Sequence, residues 1–398
     1  MERKLAHIEK IAWVKPIEGA DSIEKIGILG WTLISKKGEF QVDDLAAFFE
    51  IDSKIPEKEW SKFLEPKHYK IKTMKLSKFE KERGGVISQG LALPLSVIPE
   101  LVGKEWNIGD DITDLLGVKY SVKEDNIRKA KSNPDEKYNR MAKRYPTLAK
   151  KIWFRWLMKR QWGKKLLFTF LGKKNDNNYH FPTKFEFVHK TDEVRCENID
   201  PDILFSNKQP LVKTLKVDGT SGTFILERIN RFKYEYYVCS RNVRQMDENQ
   251  ETYHDDNVYW EAEFKYHIKH FLLNQLEKHP EWNYVCLQGE IAGEGIQGNP
   301  HGLKGLNFFG FNFIDSENGR WGSEDAKLLC EKYDIPWVPI LDTNYILPDD
   351  METLKLEADG PCDIPGSKGL REGFVYRSKD AEFSFKNVSR QYLLKKGE

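Results

Sequence analysis

Short apolar runs, cut by glycine and charged turns, fill the first 120 residues. "SIEKIGILGWTLISKKGEF" (22–40) alternates in two stretches that break near Gly30 and end on a Lys-Lys-Gly turn, which predicts two strands. "LAAFFEI" (45–51) predicts a third. "HYKIKTMKLSKF" (68–79) places Tyr69 and Ile71, then after a slip Met74 and Leu76, on one face. "GGVISQGLALPL" (84–95) predicts one more strand bounded by glycines. Short strands at this spacing predict a small OB-like β-barrel of five strands over residues 1–120.

The pattern changes over 121–180. "PTLAKKIWFRWLMKRQWGKKLLFTFLGKK" (146–174) has no alternation, but Trp153, Trp156, Leu157 and Arg160 recur at helical spacing. This predicts a helical connector of one or two helices ending near Gly172. Over 181–398 alternation returns in six strand patterns, among them "TSGTFILERI", "NYVCLQGEIAG", "LNFFGFNFIDS" and "EFSFKNVS". Two helices interrupt them. "NVYWEAEFKYHIKHFLLNQLEKH" (257–279) reads as one helix of more than five turns, and "SEDAKLLCEKYD" (323–334) as a second with Ser323 as N-cap. Strand runs with segregated helices predict an α+β fold with antiparallel sheets.

Charge sharpens one part of this picture. The chain of 398 residues has a formal net charge of +1. Residues 128–174 alone hold 16 Lys or Arg against two acids, a net charge of +14. A block of that sign expects an acidic partner, nucleic acid before a membrane surface. No apolar run reaches the roughly 18 residues of a spanning helix, and the N-terminus carries no secretory pattern. The five cysteines lie far apart with no C-x-x-C pair, so buried free thiols in a reducing, intracellular compartment (cytoplasmic or nuclear) are expected.

The candidate chemistry starts at "KTLKVDGTSGTF" (213–224), where Lys216 precedes Asp218 and a run of small residues. A lysine that attacks phosphorus must shed a proton held near pKa 10.4, so cations or burial must surround it. Lys386 in "FSFKNVS" sits on a strand face opposite Phe383 and Phe385. Glu290 closes "VCLQGE" and Glu372 opens "EGFVYR"; acids at strand ends suit Mg2+ held through water. Arg241 ends "YYVCSRN", where a guanidinium can grip phosphate. Phe308, Phe309, Phe311 and Phe313 crowd one strand; three alternate onto one face as core, and one ring is free to stack on a purine. Gly293 to Gly298 spells G-x-G-x-x-G, but Pro300, Gly302 and Gly305 follow at once. That rules out the helix a dinucleotide site needs and leaves a loop.

In order, K-x-D-G, S-R-N, a strand reaching G-E, an aromatic strand, E-G-x-x-x-R and F-K-x-x-S resemble the motif set of covalent nucleotidyltransferases. With "FVHKTDEVRCEN" upstream and "VKPIEGADSIEKI", "GW" and "ISQGLALPL" near the N-terminus, the chain resembles ATP-dependent RNA ligases with an N-terminal OB module, of the Deinococcus and Naegleria type. The resemblance covers most of 1–120 and 185–398 and implies an ATP-grasp-like adenylyltransferase domain over 181–398. It implies that Lys216 is the nucleophile that becomes lysyl-AMP, with Asp218 and Gly219 forming the turn that admits the nucleotide. Arg241 and Arg195 then bind nucleotide or 5′-phosphate, Phe311 stacks on adenine, and Lys386 meets the α-phosphate. Glu290 contacts ribose or a metal-bound water and Glu372 orients a metal-bound water, with Mg2+ or Mn2+ as the ion.

The implied reaction seals 3′-OH and 5′-phosphate ends in RNA repair, on a nicked RNA or RNA/DNA duplex, by a monomer. Leu215, Asn312 and Ser384 depart from the common pattern, in which an acid, an aspartate and a lysine stand. The rivals are a DNA ligase or capping guanylyltransferase, and a non-catalytic nucleic-acid-binding protein on the same scaffold. Only about a dozen residues follow Lys386, which disfavours a capping enzyme with its OB module after the transferase domain.

Overall fold

The structure is a computed structural model that describes residues 4–81, 84–121, 180–206, 208–245 and 257–397. The predicted helical connector of residues 121–180 lies outside them apart from Ser121 and His180.

Among the described residues the N-terminal part has ten short strands: β1 (Ala6–Lys10), β2 (Trp13–Pro16), β3 (Ile23–Ile28), β4 (Trp31–Lys36), β5 (Leu45–Phe49), β6 (Ser53–Lys54), β7 (Met74–Leu76), β8 (Val86–Ser88), β9 (Leu91–Pro94) and β10 (Lys119–Tyr120). They pair as β1-β5-β9, β2-β3-β4, β6-β10 and β7-β8. The inward faces bury Ile8, Ile26, Ile28, Trp31, Phe48 and Phe49 in one core. This is the OB-like barrel, but with more and shorter strands than five. "GGVISQGLALPL" makes two of them, β8 and β9, split at Gly90, whose φ of 114° few other residues adopt.

The second part holds β11 (Val194–Arg195), β12 (Leu211–Lys216), β13 (Thr220–Asn230), β14 (Lys233–Cys239), β15 (Tyr284–Gly293), β16 (Leu306–Asp315), β17 (Gly319–Arg320), β18 (Ile340–Tyr345), β19 (Gly373–Ser378) and β20 (Ser384–Val388). They form two five-stranded sheets, ordered β11-β20-β19-β12-β18 and β14-β13-β15-β16-β17. All neighbours are antiparallel except β11 and β20. A shared apolar core that includes Leu215, Phe224, Phe308, Phe313 and Phe374 lies with them.

Two helix expectations need correction. The run 257–279 is two helices, Val258–Tyr266 and Ile268–Lys278, because His267 turns left-handed at φ 50°. The Glu263 carboxylate accepts the Lys269 N–H (2.9 Å), satisfying a first-turn donor of the second helix. Ser323 begins its helix rather than capping it; its hydroxyl accepts instead from the Arg377 guanidinium at 3.3 Å.

The two parts meet at the β3–β4 turn. The Gly30 N–H donates to the Glu197 carbonyl (3.0 Å), and the buried Lys355 ammonium donates to the Gly30 carbonyl (2.7 Å). The Trp31 indole donates to Asn198, which in turn donates to Glu50, both at 2.7 Å. A Cβ on Gly30 would lie 2.8 Å from the Glu197 Cα and 2.6 Å from the Met351 Cε, so only glycine lets the turn seat. Gly30→Val is expected to cost about 1–3 kcal/mol through this overpacking, read from the denaturation midpoint at constant slope.

Candidate active site

Lys216 stands where the chain leaves one sheet for the other. β12 ends on it, Val217-Asp218-Gly219 crosses over, and β13 begins at Thr220. The crossing is so tight that a Cβ on Gly219 would lie 2.2 Å from the Ile291 carbonyl oxygen, which explains the glycine of the tetrapeptide. A cavity of about 990 Å³ opens at this crossing and takes its walls from both sheets. The OB part contributes Asp52 and Tyr120 to its lining.

All the residues named from the sequence line this cavity: Lys216, Asp218, Gly219, Arg195, Arg241, Glu290, Phe311, Glu372 and Lys386. Their pairing was not legible. The Lys216 ammonium donates to Glu372 at 2.7 Å. Burial works to lower the lysine pKa, but Glu372, Glu290 and Asp218 outweigh it and hold the pKa above its ordinary value. Lys216 therefore rests as an ammonium, contrary to the expectation that its surroundings depress its pKa. The depressed lysine is Lys386, which burial, opposed by Asp192 and helped by Arg195 and Lys216, lowers to about 8. Its ammonium donates to Asp192 at 2.5 Å, and the same carboxylate accepts from Arg241 at 2.7 Å. Arg241 lies beyond the end of β14, at Cys239, and is half exposed.

Arg195 is buried beside Lys386, its backbone register partner, and its Nε and Nη1 have no hydrogen-bond partner. Its Nη2 reaches Asp52 of the OB part at 3.5 Å. Two buried donors opening beside a cationic cavity wall suit an anion.

Glu290 is not at a strand end, as the sequence suggested. β15 runs on to Gly293, and Glu290 sits inside it opposite Ser221 and Phe309. Burial, together with the charges of Glu372 and Asp218, raises its pKa to about 8 against the pull of Lys216. The Glu372 Oε2 is buried with no partner. Among the described residues no three His, Cys, Asp or Glu side chains form a ready metal cluster. Two crowded carboxylates with an unfilled oxygen fit a divalent cation held through water.

This crowding has a measurable cost. Glu290 ionises near 4.5 when unfolded and near 8 when folded, so the folded state holds the extra proton between them and stability falls as pH rises across that window. In chelator, Glu290→Gln is expected to leave the Tm unchanged at pH 5 and to raise it by several degrees at pH 8. Parallel thermal melts at the two pH values check this.

The aromatic strand is resolved by a bulge. Gln288 pairs with Asn312 but Gly289 pairs with Gly310, so Phe311 is an extra residue in β16. Simple alternation would send Phe309, Phe311 and Phe313 to one face. Instead Phe308 and Phe313 are fully buried, whereas Phe311 and Asn312 both line the cavity.

Three partners went unnoticed in the sequence. His301, from the glycine loop after β15, accepts the Asp218 N–H on Nε2 at 2.9 Å; burial lowers its pKa, which suits this neutral acceptor role. Gly295 and Gly298 have positive φ there, so no helix starts, and the dinucleotide motif is excluded as expected. Tyr392 and Lys396 of the C-terminal helix Arg390–Lys396 both donate to the Asp218 carboxylate. Nothing in the local pattern of either segment announces these contacts.

The RNA ligase family profile matches residues 209–395, and an OB-fold domain profile matches residues 5–95. A Naegleria gruberi RNA ligase solved with pyrophosphate is 29% identical, with a TM-score of 0.73 and 100% of both chains covered. The chain carries an RNA ligase domain behind an OB-fold domain. The same Naegleria ligase in a mutant form with AMP and Mn is also 29% identical at a TM-score of 0.73, over 99% of each chain. A further mutant with ATP and Mn is 28% identical at 0.73, over 98% of this chain and 99% of that one. The search of curated proteins gave no match. Among the described residues no helix is long and apolar enough to cross a membrane.

Proposed function

We propose that this ATP-dependent RNA ligase, acting as a monomer, seals 3′-OH and 5′-phosphate ends at nicks in an RNA or RNA/DNA duplex. The observation that carries the reading is Lys216 at the crossing of the two sheets, facing Glu290, Glu372, Arg195 and Lys386 across one cavity.

The Lys216 amine, once its proton has gone to solvent, attacks the α-phosphorus of ATP. An Nζ–P bond forms, the P–O bond to the β-phosphate breaks, and pyrophosphate leaves. The AMP then passes to a 5′-phosphate oxygen, freeing the lysine. A 3′-OH attacks that phosphorus, and AMP departs as the phosphodiester forms. Phe311 stacks on the adenine, while Lys386, Arg195 and Arg241 draw charge off the phosphates. Asp192 keeps Lys386 and Arg241 on one wall, both ready to exchange its carboxylate for a phosphate oxygen. Glu290 and Glu372 would hold Mg2+ or Mn2+ through water, and the ion would offset their charge and the charge developing on the transferred phosphate.

The test is incubation with α-labelled ATP and Mg2+, denaturing electrophoresis, then sealing of nicked duplexes with RNA or DNA on each side of the nick. Label that stays with the denatured chain and then appears as a sealed strand is the expected result. A chain that never takes label, or takes it from GTP in preference, overturns the reading.

A further inference from the structure

We infer that Asn312 reads the exocyclic amine of the adenine, and that Gln288 sets it to do so. This rests on the nucleotidyl transfer proposed above and names the part of the site that selects the base. A chain of hydrogen bonds orients both amides, and its first link has only one possible direction. The His189 carbonyl can only accept, so the Gln288 group 2.9 Å from it is the NH2. That NH2 also reaches the Thr223 hydroxyl at 3.2 Å. The Gln288 Oε1 is therefore the free end, and the group 2.9 Å from it must donate, which makes it the Asn312 NH2. The remaining Asn312 atom is Oδ1, an acceptor with no hydrogen-bond partner on a side chain only 7% exposed.

The bulge then gives this oxygen its purpose. It sets Asn312 beside Phe311 on the cavity wall, at the ring proposed to carry the base. An unfilled buried acceptor beside a stacked purine favours an NH2 at the 6-position and opposes a carbonyl there, since two acceptors repel. Adenine has the amine and guanine the carbonyl. Gln288 is a positioning residue: it is buried, and its bond to Asn312 prevents that amide from turning over. Asparagine also suits this place better than aspartate. A carboxylate would set oxygen against the locked Gln288 Oε1.

The test compares ATP with purine riboside triphosphate, which lacks only the amine. Intact-protein mass identifies the nucleotide attached, and initial rates give kcat/KM. The unmutated enzyme is expected to use the purine analogue about 10- to 100-fold less efficiently than ATP, and GTP less well again. In Asn312→Leu the ATP and analogue values should converge. In Gln288→Leu the freed amide should turn and narrow the gap between ATP and GTP. Equal use of ATP and the analogue by the unmutated enzyme overturns the inference, even if neither variant folds. So does a ratio that Asn312→Leu leaves unchanged. An enzyme that takes no nucleotide from any of the three overturns the transfer reading itself, and this inference with it.

Discussion

Lys216→Ala is expected to reduce attachment of labelled AMP to background, and Lys216→Arg is expected not to restore it. Alanine removes the amine proposed to form the bond to phosphorus. Arginine keeps the positive charge and the Glu372 partner but stays protonated at any working pH, so it has no free electron pair to give. The pair of variants separates a nucleophile from a cation that merely binds phosphate, because a binding cation survives the arginine exchange in part. The unmutated rate should climb with pH up to about 8, since Glu372, Glu290 and Asp218 hold the Lys216 pKa above its ordinary value. A thermal melt of each variant checks the fold; the backbone pairing of Lys216, the last residue of β12, with Gly373 needs neither side chain. Label that survives either change with the native fold would show that another group attacks.

How much of this was legible follows from what strand patterns encode. The residue types of the site were readable because each sits in or beside an apolar strand whose order along the chain is fixed. Glu372 and Lys386 fall beside and within β19 and β20 as the alternation implied. What alternation does not encode is where a strand adds a residue. The bulge at Phe311 sends that ring to the cavity and leaves Phe308 and Phe313 in the core. Nor does local pattern encode pairs made across the whole fold. Asp192 joins Lys386 from 194 residues away, and Lys396 reaches Asp218 from 178. The charge states of the two lysines are set by burial and by carboxylates such as Glu372 and Asp192, which no local pattern assigns to them. The strands of the N-terminal barrel were readable, but their division at Gly90 depends on one positive φ that apolar spacing does not report.

Lys386 provides the second large effect, through a pH profile whose shape runs against first intuition. Lys386→Ala is expected to lower kcat/KM for self-adenylylation by about 10²- to 10³-fold, the usual loss when one group that meets developing charge is removed. The informative variant is Lys386→Arg. The free enzyme must have Lys216 neutral and Lys386 charged. Lys216 has its pKa above the ordinary lysine value and Lys386 near 8, so the two are in the wrong state over most of the range. Below pH 8, Lys386 is charged and the rate rises tenfold per pH unit with the neutral fraction of Lys216. Above pH 8, each further gain in neutral Lys216 is cancelled by loss of charge on Lys386, so log kcat/KM turns flat at about pH 8. Arginine does not lose its proton there. With Lys386→Arg the rise should continue through pH 8, at whatever absolute rate the longer side chain allows. Saturating Mg2+ keeps Glu290 ionised, so that its own midpoint near 8 does not enter. A flat region that persists in Lys386→Arg would assign the break to another group, and a steady rise in the unmutated enzyme would show that the charge on Lys386 is not needed for transfer.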